Sequence, residues 1–171
     1  MKTGELKSKV ALVNGASRGI GLAIARGLAA AGATVIVTSR SQESAGEAAA
    51  AIEADGGRAV AMACHAGRLE DIEALFRGVR ETTGRLDILV NNAATNPYYG
   101  PAHGLSPDAF DKTVEVNLKG PYFMMAQAVP LMLEGGGGSI VNVSSIVSLM
   151  SMPGQAPYAM TKAGLVSLTK S

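Results

Sequence analysis

Five short apolar runs mark the chain, each followed by a stretch of helical composition. Val10 to Val13 is β-branched and uninterrupted; Gly15, Gly19 and Gly21 follow at once, and Ile20 to Ala31 is an alanine-rich apolar segment closed by Gly32. Thr34 to Thr38 is a second strand, and Gln42 to Ala54 is a helix that stops at Gly56-Gly57. Ala59 to Ala63 is a third strand, after which Leu69, Ile72, Leu75, Phe76 and Val79 recur at helical spacing. Leu86 to Val90 is a fourth. Asp108 to Asn117 and Tyr122 to Leu133 read as two helices, Gly135 to Gly138 as a loop, Ile140 to Val143 as a fifth strand, and Tyr158 to the end as a last helix. The strand runs are continuously apolar rather than alternating, which is what burial on both faces requires. Strand and helix alternate throughout. Both features predict an α/β fold with a parallel sheet covered on each side. There is no repeat of solenoid length and no break in composition, so residues 1–171 read as one domain.

Composition narrows the function classes. The chain has 171 residues, 47% hydrophobic and 17% charged, enough for a real core and too apolar for a disordered segment. The formal charge is +1, with no basic run, so nucleic-acid binding has no electrostatic support. Cys64 is the only cysteine; it excludes an internal disulfide, argues against a thiolate metal site, and fits a reducing cytoplasm. Met1 to Lys9 is polar, unlike a signal peptide, and no apolar stretch is long enough to span a bilayer. The expectation is a cytoplasmic protein with no metal, acting on a small molecule.

Asn14-Gly15-Ala16-Ser17-Arg18-Gly19-Ile20-Gly21 lies between the first strand and the first helix. Gly15 permits a tight turn, Gly19 lets the backbone approach a pyrophosphate, and Gly21 lets helix and strand pack closely. The helix N-terminus then offers free N–H groups and a positive dipole end to phosphates. Three glycines alone would equally describe a ligand-free turn; their place between strand and helix favours the cradle. The second strand ends Thr38-Ser39-Arg40, without the acid that would hold a ribose 2′-hydroxyl and repel a 2′-phosphate. Ser39 can donate a hydrogen bond and Arg40 can fork onto a phosphate, although each arginine alone is also an ordinary surface charge.

Tyr158-Ala159-Met160-Thr161-Lys162 places a phenol and an ammonium one helical turn apart. A neighbouring ammonium favours the phenolate, so Tyr158 could pass a proton near neutral pH. On its own the spacing also fits a plain surface pair. Ser145 lies thirteen residues before Tyr158, at the end of the fifth strand, and could hydrogen-bond an oxygen on which charge develops; Ser144 is adjacent. Asn117, alone, is a polar residue interrupting a helix. His65, alone, reads as a loop histidine rather than a catalytic one.

Together these residues resemble the classical short-chain dehydrogenase/reductase family over Lys9 to Ser171. The Gly-x-x-x-Gly-x-Gly spacing and Tyr-x-x-x-Lys are its motifs, and Asn91-Asn92-Ala93-Ala94 is similar to its Asn-Asn-Ala-Gly. Asn14 stands where the family usually has Thr, and Ala94 where it has Gly. The resemblance implies a Rossmann-type doubly wound sheet of order 3-2-1-4-5. It implies hydride transfer between NADP(H), with NAD(H) second, and a carbonyl or alcohol. It assigns Asn117, Ser145, Tyr158 and Lys162 to catalysis, with Asn117 holding a relay water and Ser145 preferred over Ser144. It assigns the dinucleotide to Gly15, Ser17, Arg18, Gly19, Ile20, Gly21, Ser39, Arg40, His65, Ala66, Asn92, Ala93, Tyr158 and Lys162. In this reading Arg18 reaches the same side as Arg40, His65 and Ala66 flank the adenine, and Lys162 also holds the nicotinamide ribose. A methyltransferase of the same fold would explain neither Tyr158 and Lys162 nor the two arginines.

Within the family, Cys64 to Arg68 and Asn91 to Gly100 look like NADPH-preferring carbonyl/retinal reductases. Tyr98, Tyr99, Met150 and Met152 either border an apolar substrate pocket or are loop packing residues. Family members run to roughly 250 residues. The final segment, Gly164 to Ser171, shows no capping glycine or proline, so the expectation is a chain that stops within the family's domain. The family reading also implies a homo-oligomer, dimer or tetramer. The alternative to an active enzyme is an inactive fragment serving as a nucleotide-binding or subunit-pairing module. On that view the chain would be marginally stable, self-associating through an open fifth strand, and nearly without turnover.

Overall fold

The computed structural model describes residues 4–150 and 152–171; residues 1–3, part of the polar opening stretch, and Ser151 lie outside it. Five parallel strands, β1 (Val10–Asn14), β2 (Thr34–Ser39), β3 (Arg58–Ala63), β4 (Ile88–Asn91) and β5 (Ser139–Asn142), form one sheet of order β3-β2-β1-β4-β5. The expected order holds. The strand order reverses between β1 and β4, which leave the sheet to opposite sides and open a crevice at their C-terminal ends.

The period of two along β1 explains why its sequence is apolar throughout. Val10 and Leu12 enter one core with Ile36, with Ile72, Leu75, Phe76 and Val79 of α3 (Leu69–Thr83), and with Met124, Ala128 and Leu131 of α5 (Gly120–Glu134). Ala11 and Val13 enter the other, with Val35 and Val37, Ala25 and Ala29 of α1 (Gly19–Ala30), and Ala48, Ala49 and Ile52 of α2 (Gln42–Ala54). The α1 and α2 side is built from alanines, so those helices lie close against the strands. The α3 and α5 side uses large side chains. Each fully buried aliphatic side chain contributes about 1.5–3 kcal/mol.

The two helices expected over Asp108 to Asn117 and Tyr122 to Leu133 are instead one continuous helical run. It starts at Pro107, capped by the Ser106 hydroxyl, which accepts from the Ala109 N–H at 3.2 Å. α4 (Pro107–Val114) passes into a π-helical turn, Glu115–Lys119, and then directly into α5. The break expected between Asn117 and Tyr122 does not form. Pro121 falls in the first turn of α5, where a missing N–H costs least. Gly120 lies so close to the Ala66 carbonyl that a side chain would collide with it. α6 (Ala156–Lys170) packs on this turn, on α4 and on the short 3-10 turn Ile146–Ser148 that follows β5. Among the described residues, β5 pairs only with β4, and no helix is long and apolar enough to cross a membrane.

Candidate active site

The glycine loop sits at the C-terminal ends of β1 and β4. Gly15 has φ +73, and a Cβ there would lie 2.8 Å from the Ala93 Cα. A Cβ on Gly21 would strike the Gly15 carbonyl and come within 2.5 Å of the Asn92 amide nitrogen. That amide donates to the Gly15 carbonyl at 2.8 Å, tying the loop after β4 to the loop after β1. Gly19 differs: its φ is +57 and nothing lies within 4 Å of its missing Cβ. Its glycine is required by conformation alone, and the space above it is open. Helix α1 begins here with no side-chain cap from Arg18 and no acid in its first turn. Its first N–H groups therefore point at open ground, beside exposed Gly19 and Ile20 and partly exposed Ser17. This is a cradle suited to phosphate oxygens.

At the end of β2, Arg40 is exposed. The Ser39 hydroxyl is not free-standing: it lies 2.6 Å from the Ser44 hydroxyl, which in turn lies 2.8 Å from that of Ser41. Ser41 caps α2 by accepting from the Ser44 N–H at 3.3 Å. Three hydroxyls are thus gathered beside Arg40, of which the sequence reading named only Ser39. The Ser-x-x-Ser cap spacing was the available signal for the others.

After β3, the Cys64 thiol is buried, and burial above all, with the Asp71 carboxylate adding, pushes it up to about 12. It is an inert packing group. His65 donates its backbone N–H to Asp71 at 2.9 Å, and its Nδ1 accepts from the Gly67 N–H at 3.2 Å. With Nδ1 accepting, Nε2 is the ring nitrogen left to donate. Ala66 is buried.

The second cluster is built on β5 and α6. Lys162 is 2% exposed, and its ammonium donates to the Val143 carbonyl at 2.7 Å. No acid neutralises it among the described residues, and burial lowers it from the ordinary lysine range. Its Nζ lies 5.8 Å from the Tyr158 ring centroid, so phenol and ammonium share one face of α6. The two candidate serines divide. Ser144 donates its hydroxyl to the Lys162 carbonyl at 3.1 Å, pinning the end of β5 to α6. The Ser145 hydroxyl only accepts, from the Val147 N–H at 3.4 Å, so its own proton is free to be donated.

Asn117 stands in the π-helical turn, fully buried. Its side-chain oxygen accepts from the Thr95 N–H at 2.7 Å. Its amide donates to the Thr95 carbonyl at 2.8 Å and to the Thr161 hydroxyl at 3.3 Å. It pairs with Thr95 as one peptide pairs with another, and clamps the loop after β4 to the residue before Lys162. Both N–H groups of the amide are committed and its oxygen accepts from Thr95, so the side chain serves as a clamp. Thr95 and Thr161 had no motif to reveal them. The apolar border is mixed. Tyr99, Ile146, Leu149, Met150 and Met152 are exposed, but Tyr98 turns its hydroxyl to the Pro101 carbonyl at 2.7 Å and packs over Gly100 and Gly104. Of the expected pair, Tyr98 is a loop packing residue.

The family model for short chain dehydrogenase matches residues 9–171. The human dehydrogenase/reductase SDR family member 4 is 43% identical over 166 residues, 97% of this chain and 60% of that protein. Human SDR family member 2, mitochondrial, is 36% identical over 170 residues, again 60% of its length. The chain thus spans about three fifths of the length of these relatives. Among solved structures, a metagenomic short-chain oxidoreductase in complex with NADP superposes with a TM-score of 0.92 at 39% identity, covering 96% of this chain and 75% of that one. A structure from Sinorhizobium meliloti 1021 assigned as a short-chain alcohol dehydrogenase also reaches 0.92, at 41% identity, covering 98% of this chain and 66% of that one.

Proposed function

We propose that this chain, which belongs to the short-chain dehydrogenase family, carries the cofactor cradle and proton-transfer residues of an NADP(H)-dependent oxidoreductase acting on an apolar carbonyl or alcohol. The observation that supports it most directly is the pairing of two sites on one sheet edge. An uncapped α1 N-terminus over an open Gly19 faces one side, and a phenol, a buried ammonium and a donor hydroxyl face the other.

The residues fit a dinucleotide. Gly15, Ser17, Gly19, Ile20 and Gly21 would receive its pyrophosphate on backbone N–H groups. Arg40, Arg18 and the Ser39, Ser41 and Ser44 hydroxyls would receive a 2′-phosphate, with no acid at the end of β2 to repel it. His65 and Ala66 would border the adenine, His65 offering its Nε2–H, while Asn92 and Ala93 close the floor. A bound nicotinamide supplies or accepts the hydride. The protein's part is proton transfer and orientation. Ser145 donates a hydrogen bond to the substrate oxygen, and Tyr158 gives that oxygen a proton, or takes one in the reverse direction. The Lys162 ammonium has two further N–H groups beyond the one held by Val143, available to ribose hydroxyls. Asn117 acts as a positioning residue through Thr161 and Thr95. Exposed Tyr99, Ile146, Leu149, Met150 and Met152 favour an apolar substrate.

The test is a fluorescence titration of the chain with NADPH and with NADH. The expected result is NADPH binding at least about tenfold tighter, since each charge-assisted contact to a 2′-phosphate contributes about 1.5–3 kcal/mol. Equal affinities, or a preference for NADH, would remove the NADP assignment.

A further inference from the structure

Three asparagines stand level with one another at the C-terminal ends of three adjacent strands. Asn14 on β1 is in register with Asn91 on β4, and Asn91 with Asn142 on β5. Hydrogen bonds run along this row in one direction. The Gly15 N–H donates to the Thr38 hydroxyl on β2 at 3.3 Å, and that hydroxyl donates to the Asn14 side-chain oxygen at 3.2 Å. Further along, the Asn91 amide donates to the Asn142 oxygen at 2.9 Å. The Asn142 amide donates to the Thr169 hydroxyl at 2.9 Å, with Met125 sulfur at 3.6 Å, and Thr169 donates to the Leu165 carbonyl at 2.6 Å.

The two ends of the row fix its sense. A backbone N–H can only donate and a carbonyl can only accept, so every group between Gly15 and Leu165 must accept on its β2 side and donate towards α6. One link is open. The two buried side-chain atoms without a partner among the described residues are Asn14 Nδ2, a donor, and Asn91 Oδ1, an acceptor. They belong to register neighbours that are 1% and 2% exposed, and they are the donor and acceptor that the sense of the row demands at that position. Two separate buried orphans would each cost a desolvation penalty; one shared link removes both.

We propose that Asn14 Nδ2 and Asn91 Oδ1 are joined in the working protein, directly or through one buried water, and that the completed row is a positioning ladder running from the glycine loop to α6. It crosses the junction between the two halves of the sheet, where Gly15 and Gly21 leave no slack against Ala93 and Asn92. Hydrogen bonds in such a chain polarise one another, so the ladder holds the loops after β1 and β4 at one spacing more firmly than its links would separately. Its effect on ligand affinity rests on the dinucleotide reading given above; the link itself does not.

The experiment has two arms. In isotope-labelled full chain, NMR should show the Asn14 side-chain amide protected from solvent exchange. It should also show either a through-hydrogen-bond coupling to the Asn91 side-chain carbonyl or a contact from both residues to one long-lived water. A freely exchanging Asn14 amide with neither signature overturns the proposal. In the second arm, Asn14→Ala and Asn91→Ala should each weaken NADPH binding about tenfold, and the double variant should do no more than either alone. Additive losses, about a hundredfold in the double variant, or unchanged affinity overturn it. If the unsubstituted chain fails to bind NADPH, the cofactor reading falls together with the ladder's effect on affinity. The NMR arm, which needs no ligand, still decides the link.

Discussion

The two halves of the candidate site are made of different material. The cradle beneath α1 is almost all main chain: glycines, an uncapped helix start and one amide contact from Asn92. The reacting groups of the corner formed by β5 and α6 are side chains. Tyr158, Lys162 and Ser145 are held in place by Ser144, Asn117, Thr95, Thr161 and the Val143 carbonyl. A main-chain site fails when something is added to it, because a Cβ occupies the space the ligand or the neighbouring loop needs. A side-chain site fails when something is taken away. Binding and chemistry are thereby separable by mutation.

The sharpest test of that separation is Tyr158→Phe, in protein that turns over a carbonyl substrate. In the proposed mechanism the phenol supplies a proton, while the main-chain cradle carries most of the contacts to the dinucleotide, so kcat should fall by about 10³-fold while NADPH affinity stays within about threefold. Steady-state kinetics and a cofactor titration read the two effects apart. A matching loss of cofactor affinity would show that the corner also builds the binding site, and the contrast would collapse.

Arg40→Asp attacks the other half. It replaces an exposed cation with the acid that favours a free 2′-hydroxyl, so NADPH affinity should fall about 10–100-fold while NADH affinity holds or rises. Fluorescence titration of both cofactors measures it. An unchanged ratio would make Arg40 a solvated surface charge and leave the selectivity to the serines.

The same contrast explains what the sequence disclosed. Cradles of main chain are written in glycine spacing, and Gly15, Gly19 and Gly21 could be assigned individual roles before any coordinates. Strand runs were equally legible, because a strand buried on two faces has no polar positions to confuse it. The corner was legible only as a motif. Tyr158 and Lys162 could be paired by helical spacing, but Thr95 and Thr161 are ordinary threonines, and only the fold brings them to Asn117. Ser144 and Ser145 are chemically equivalent in sequence; the Lys162 carbonyl separates them. The merging of α4 and α5 was missed because Gly120-Pro121 is a strong helix-breaking signal. A π-helical turn, which no composition rule marks, absorbed it.

That division between the two serines is itself testable at smaller magnitude. Ser144→Ala removes a part-buried bond between β5 and α6 and should lower stability by about 1 kcal/mol. Ser145→Ala should leave stability within about 0.5 kcal/mol and instead lower kcat. Denaturant unfolding together with turnover distinguishes them, and the reverse pattern would reassign the substrate hydroxyl to Ser144.

The smallest expected effect lies at the opposite end of the sheet, where neither half of the site reaches. The Asp87 carboxylate is 5% exposed and receives the Val10 N–H at 2.9 Å, Lys9 at 3.0 Å and Arg85 at 2.9 and 2.6 Å. Burial is the largest single influence and pushes the group up, but the hydrogen bonds from Arg85, Val10 and Lys9 together outweigh it and hold the carboxyl at about 2, below its ordinary 3.8. A carboxylate depressed by folding stabilises the fold above its unfolded value. That stabilisation is therefore present above about pH 3.8 and is lost as the pH falls towards about 2. Its partners Lys9 and Arg85 are 48% and 40% exposed, so solvent screens the pairs and about 1 kcal/mol is the expected size. Thermal unfolding of the chain and of Asp87→Asn across acid pH measures it: the gap between their melting temperatures should be constant from neutral pH to about pH 4 and close below that. NADPH affinity at neutral pH should be the same in both, because the cluster sits at the N-terminal ends of β1 and β4 while the cradle sits at their C-terminal ends. A loss of affinity in Asp87→Asn would mean that strain travels the length of the strands, and that the two ends of the sheet are not independent.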